Sequence, residues 1–179
     1  MAVPLRAPIA DASLLGDDKP QLRGRGSVAA ILARRKALLI EDWLTRSKHT
    51  PELNHLHLSD EQRTGHLPQL VDDIVIRLAK GELPTKDADA IPSPAAIEHG
   101  KLRRSQGYSS GMLIHESRIL QVTVFGTLHN NLSLLDFRVL LPDVMIIADE
   151  VDSQLTQTME SFTNALPTTA TALLVKPKG

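Results

Sequence analysis

Apolar residues recur at Leu140, Val144, Ile147, Val151, Leu155, Met159 and Phe162, in steps of three and four. That period is the signature of one face of an α-helix. A stripe sustained over about six turns needs an apolar surface of similar length to lie against. Two further stripes can supply it. One is Val28, Ile31, Leu32, Leu38, Leu39 and Trp43; the other is Leu67, Leu70, Val71, Ile74, Val75 and Leu78. No segment alternates with period two for long, so the spacing predicts an all-α fold. We expect a bundle of five to six helices, with a globin-like arrangement left open.

Local signals set the boundaries. Ser27 reads as the cap of a helix reaching Ser47 or Lys48, and 49–58 as a polar connection containing Pro51. Ser59 and Gln62 form a capping-box pattern. Their helix runs to Lys80 and stops at Gly81, with a kink or break expected near Gly65 to Pro68. Ser93-Pro94 opens the next helix, which ends at Gln106-Gly107. Ser109 or Ser110 starts another, ending near Asn130, and the last begins near Leu135 or Asp136, with Pro142 in its opening turn. Residues 1–26 read as a flexible leader, 27–162 as one helical domain, and 163–179 as a tail or linker to an output module.

Composition removes several functions. The chain has no Cys, which excludes disulfides, thiolate metal sites and cysteine nucleophiles. Twenty Lys and Arg against 21 Asp and Glu give a net charge of −1, a poor match to nucleic acid. One Trp, one Tyr and three Phe make no base-stacking platform. No apolar run reaches the roughly 18 residues of a membrane span, and no signal-peptide core is present, so the expected compartment is the cytoplasm. Nucleotide-binding glycine loops, H-E-x-x-H and G-x-S-x-G are all missing. His49, His55 and His57 read as surface histidines rather than a metal site, and His66 as a partner for carbonyls freed at the kink. No metal or cofactor is expected.

The densest polar pattern runs from Glu98 to Tyr108, with Glu116 beyond it. His99, Arg103 and Gln106 fall on one helical face. Gly100 leaves room for a close neighbour, and Gly107 suits the left-handed residue that ends a helix. The following helix brings Glu116 down beside the first. We therefore expect a buried network of His99, Arg103, Gln106, Tyr108 and Glu116 that binds a ligand or fixes helix register. The stripe residues Val144, Ile147, Val151 and Leu155 are candidates for a dimer or relay seam.

The motif H-G-x-x-R-x-x-Q-G-Y at 99–108, followed by Glu116, resembles the RsbRD N-terminal domain family, named after an RsbT co-antagonist of bacterial stressosomes. Trp43-Leu44, Leu58-Ser59-Asp60 and 66–70 (H-L-P-Q-L) add to the likeness, which spans about 28–162. The resemblance implies a non-catalytic input domain of a sensor histidine kinase or stress regulator, belonging to two-component or stress-response signalling. It implies self-association, an output module or regulator protein as partner, and an unknown small ligand. Competing readings are a structural adaptor for regulator assembly, and a small helical enzyme with His99 or His115 as base.

Overall fold

A computed structural model describes residues 27–84 and 91–165, apart from the side chain of residue 139. The expected leader, most of the tail and part of the 81–92 connection lie outside the described residues. Within them the chain is helical, with no strand. Five long helices carry the architecture: α1 (Val28–His49), α4 (Leu67–Lys80), α5 (Pro94–Ser105), α6 (Ser110–His129) and α7 (Phe137–Asn164). Two short ones, α2 (Pro51–Asn54) and α3 (Asp60–Thr64), lie between α1 and α4, and a single 3₁₀ turn, Leu132–Leu134, precedes α7.

The caps explain most of these limits. Ser27 accepts from the Ala30 amide and Ser93 from the Ala96 amide, each satisfying one orphan donor of a first turn. Ser59 and Gln62 form the full reciprocal capping box at α3. The expected break falls between Thr64 and Leu67, with Gly65 at φ 46° and Pro68 in the first turn of α4, where its missing N–H costs nothing. At the end of α5 the Tyr108 amide donates to the Arg103 carbonyl and the Gly107 amide to that of Arg104. Those bonds make a Schellman turn, which demands the positive φ of 81° that Gly107 provides.

Three local expectations need correction. Residues 49–58 are not merely a polar connection. Pro51 starts the one-turn helix α2, whose Leu53 is wholly buried beneath Tyr108, Met112, Leu113 and Phe162. Pro142 sits in the second turn of α7, because Asp136 caps the helix and Phe137 begins it. Of the α7 residues expected to form a dimer or relay seam, Ile147 and Val151 are buried in the core of the single chain and closed to a second copy, while Val144 and Leu155 are half-buried. Ile147 and Val151 pack in the core with residues of α1, α4 and α6, and Phe162 packs with Leu53, Tyr108, Met112 and Leu113. The outward row is Phe137, Leu141 and Met145, each exposed and four residues apart.

The main core joins α1, α4, α6 and α7 through Leu32, Trp43, Val71, Ile74, Val124 and Ile147. Helix α5 stands apart from this arrangement, because it lies chiefly along α7. Thr158 Oγ donates to the Ala96 carbonyl at 3.1 Å and Ser161 Oγ to the Ile97 carbonyl at 2.6 Å. Gly100 is where the two backbones meet. A Cβ there would collide with the Thr158 carbonyl and lie 3.0 Å from the Phe162 amide nitrogen. Gly126, inside α6, has nothing within 4 Å of the corresponding position.

These two helical glycines should therefore respond oppositely to Ala. Gly126→Ala should gain about 0.5–1 kcal/mol from reduced backbone entropy in the unfolded chain. Gly100→Ala should lose about 1–3 kcal/mol through overpacking against backbone that cannot rotate away. Urea midpoints of the two variants check the pair.

Candidate functional site

Arg103 has no solvent exposure at all. A guanidinium enclosed this way must find partners for its charge and its donors. It lies on the last turn of α5, where Nε donates to Glu116 Oε2 at 2.9 Å. One terminal nitrogen donates to the Gln62 carbonyl at 2.8 Å and to Gln106 Oε1 at 2.6 Å, and the other to the Arg63 carbonyl. Arg103 thus ties α5 to α6 and to the α3–α4 break. Its guanidinium also stacks 4.8 Å from the Tyr108 ring centroid.

Glu116 is the shared acceptor. Oε1 accepts from the Tyr108 hydroxyl at 2.8 Å, and Oε2 accepts from His99 Nε2 at 3.1 Å as well as from Arg103. Its backbone carbonyl takes the Trp43 indole N–H at 3.4 Å. Burial opposes ionisation of Glu116, but the His99 hydrogen bond and the Arg103 charge outweigh it, holding the carboxyl below its usual range. Burial, reinforced by the neighbouring Glu116 charge, pushes the Tyr108 phenol up, so it stays a donor. The five residues expected to form a network, His99, Arg103, Gln106, Tyr108 and Glu116, are brought together. His115 is half-buried one residue before Glu116 and takes no part in the carboxylate's hydrogen bonds.

The remaining histidines fall elsewhere. His55, His57 and His129 are exposed, and His49 Nδ1 meets the Thr45 carbonyl at 2.7 Å. His66 does not bond a carbonyl freed at the break: its buried Nδ1 has no partner on the protein, and its ring meets that of His99 edge-on at 6.4 Å. Burial, then the His99 charge, lower its pKa. Among the described residues, no three His, Asp or Glu side chains are grouped to hold a metal ion.

Beside the network lies a cavity of about 40 Å³. All five long helices contribute to its wall, with Trp43 from α1, Leu70 from α4, His99 from α5, Glu116 from α6 and Gln154 from α7. Gln154 belongs to a second buried network that the sequence reading missed. Its Nε2 donates at 3.0 Å to both the Leu70 carbonyl and Glu150 Oε1. Arg77 holds Asp149 at 2.8 Å and Glu150 at 3.4 Å, joining α4 to α7. Burial raises the Glu150 pKa, and nearby Asp73 and Asp149 add to that, against Gln154 and Arg77. The signal was present in the sequence: Arg77 follows Ile74 by three residues, and Glu150 and Gln154 flank Val151, so charged and polar groups stand on apolar faces.

No protein-family model, curated protein or solved structure matches this chain. The likeness to the RsbRD N-terminal domain family therefore rests on the motif residues themselves.

Removing one partner of a buried pair strands the other charge, at about 3–5 kcal/mol. Arg103→Met should thus lower the melting temperature by about 10 °C. Adding Glu116→Leu should recover part of that loss, because the orphaned carboxylate is gone. Since the Glu116 carboxyl ionises more readily folded than unfolded, its contribution is present above the ordinary pKa of 4.5 and fades as pH falls through the lower folded value. The wild-type advantage over the double variant should shrink accordingly below pH 4.5, as read by melting curves across pH.

Glu150 carries the opposite sign. Its raised pKa means the folded chain binds that proton more tightly than the unfolded chain, so ionised Glu150 costs stability. Glu150→Gln should raise the melting temperature by a few degrees at pH 7 and make little difference near pH 4. Calorimetry at the two pH values checks the sign.

Proposed function

We infer that this chain is a non-catalytic sensory or regulatory input domain of a bacterial signal-transduction protein. It would work in the cytoplasm ahead of a histidine-kinase or stressosome-type output, relaying ligand or partner binding through α7. No described helix is long and apolar enough to cross a membrane, which is compatible with that setting. The observation that carries the reading is the seating of α5 on α7. Helix α5 bears His99 and Arg103 of the polar network, and at Gly100 its backbone touches the α7 backbone with no side chain between. Rigid contacts of that kind transmit displacement, because packed interfaces have few ways to absorb it. A change at the cavity wall would thereby reach the last described helix.

The chemistry of the network favours binding over catalysis. Three donors converge on the Glu116 carboxylate, and His99 Nε2 is one of them. With three internal donors on it, the Glu116 carboxylate is engaged within the fold rather than presented to a substrate. The motif residues behind the family likeness are these same network members, so the resemblance and the geometry point to one site.

Amide hydrogen exchange tests the relay. Glu116→Gln alters the network from α6 without touching α7 directly. The relay reading expects altered protection in Thr156–Asn164, at the far end of α7. Changes confined to α5 and α6 would overturn it. The adaptor reading, which draws on the exposed row Phe137, Leu141 and Met145, would then be the better account.

A further inference from the structure

We propose that the central cavity is a binding site for a compact, neutral hydrogen-bond donor of two or three heavy atoms, with a small alcohol as its simplest representative. The proposal rests on the input-domain reading above and names the kind of ligand its site would take.

Size comes first. The cavity measures about 40 Å³. An apolar cavity of about 150 Å³ holds benzene, and one water needs about 10–15 Å³. The space here suits a molecule between those two. Ser117 and Leu155 are the half-buried members of the wall, so the way in lies between α6 and α7.

Hydrogen-bonding capacity comes second. Most of the wall is apolar, including Leu67, Leu113, Leu120 and Val151. The polar members have already used their N–H groups. Trp43 Nε1 donates to the Glu116 carbonyl, and Gln154 Nε2 donates to Leu70 and Glu150. The Thr158 hydroxyl donates to the Ala96 carbonyl. His99 Nε2 meets the Glu116 carboxylate, so that nitrogen is committed as a donor. Buried His99 Nδ1 and Gln154 Oε1 have no hydrogen-bond partner on the protein. The amide oxygen of Gln154 can only accept, so a ligand that satisfies it must bring the hydrogen, while the Ser117 hydroxyl at the rim can donate or accept.

Charge comes third. Glu116 is compensated by Arg103, so the wall offers no net charge to repay desolvation of an ion. An anion would face the carboxylate and the bare Gln154 amide oxygen. A cation would find its counter-charge already taken.

The single Trp of the chain lines the cavity, which makes Trp43 fluorescence and its indole N–H resonance direct reporters. The probes are methanol, acetonitrile, methylammonium chloride and sodium formate, the salts balanced against sodium chloride. Methanol should give a saturable change with a dissociation constant of a few millimolar, near the ceiling for so few atoms. The other three should give only linear solvent effects. Gln154→Leu should weaken methanol about tenfold, and Ser117→Leu, at the half-buried rim, should abolish the saturable change while preserving the fold. A linear methanol response, or equal binding of acetonitrile or of either ion, would overturn the proposal. Hydrogen exchange across Thr156–Asn164 in the same samples keeps the two ideas apart. Saturable methanol binding with unchanged α7 protection supports the site and counts against the relay. Loss of the methanol site leaves the relay to stand on the Glu116→Gln experiment.

Discussion

A guanidinium sealed from water at the end of a helix is an obligation that the surrounding chain must meet. Arg103 is that group, and meeting its needs accounts for much of the upper half of the bundle. Its Nε requires an anion, and Glu116 supplies it from α6. Its terminal nitrogens require carbonyls, and those of Gln62 and Arg63 are available because the chain leaves helical geometry just beyond them at Gly65. The break between α3 and α4 is therefore part of the Arg103 site as well as a consequence of Pro68. Arg63 behaves similarly, donating to the Leu53 and Leu56 carbonyls near the end of α2. Two arginines thus hold the irregular stretch between α1 and α4 against the helices. Charge-assisted bonds to backbone oxygens are stronger than neutral ones, and they also fix position.

The opposite face of the bundle relies on a second bridge of the same chemistry with a different balance. There Arg77 spans from α4 to Asp149 and Glu150 on α7. Glu116 is held ionised by its donors, whereas Glu150 is pushed toward its neutral form by burial and by nearby carboxylates. The first bridge loses value as acid neutralises its carboxylate, and the second loses a penalty. Gln154 stands between the two, bonded to Glu150 and lining the cavity next to His99 and Glu116. The helices are consequently joined by a nearly continuous polar seam running through an otherwise apolar core. Such seams are more readily explained by register than by raw stability, since well-packed apolar groups of equal size give up less on burial.

Helix type and limits were largely legible in the sequence because each end carries a short-range chemical signal. Ser27, Ser59 and Ser93 cap helices where they were read to do so, Ser109 is the member of the Ser109–Ser110 pair that caps α6, and Gly81 and Gly107 end helices. The first network was legible for a related reason: His99, Arg103 and Gln106 share a helical face, and Gly107-Tyr108 fixes how soon the chain returns. Arg77, Glu150 and Gln154 stand out as polar groups on apolar faces, but the pairing of Arg77 with Glu150 was not legible, because the two are 73 residues apart and no local spacing links them. The inward direction of the α7 stripe was also beyond local reading. Periodicity tells which residues share a face, but only the positions of α4 and α6 decide whether that face meets the same chain or another copy. The one-turn helix α2 was missed because four residues are too few to show a period.

The geometry of α5 brings these observations to one point. A helix held mainly by side-chain packing can shift by small rotamer changes on either side. At Gly100 that freedom is absent, because the α5 and α7 backbones are in contact and hydrogen bonds from Thr158 and Ser161 fix the register along them. On its other side α5 reaches α6 through the long side chains of His99 and Arg103, which meet at one carboxylate. The stiff connection is thus to α7 and the compliant one is to α6, with the cavity between them. Expansion of that cavity would be taken up at the Glu116 bridge first, and α5 would carry α7 with it. In an input domain of the kind proposed, that asymmetry would give a signal its direction, entering where side chains span the gap and leaving along the helix that shares a backbone contact.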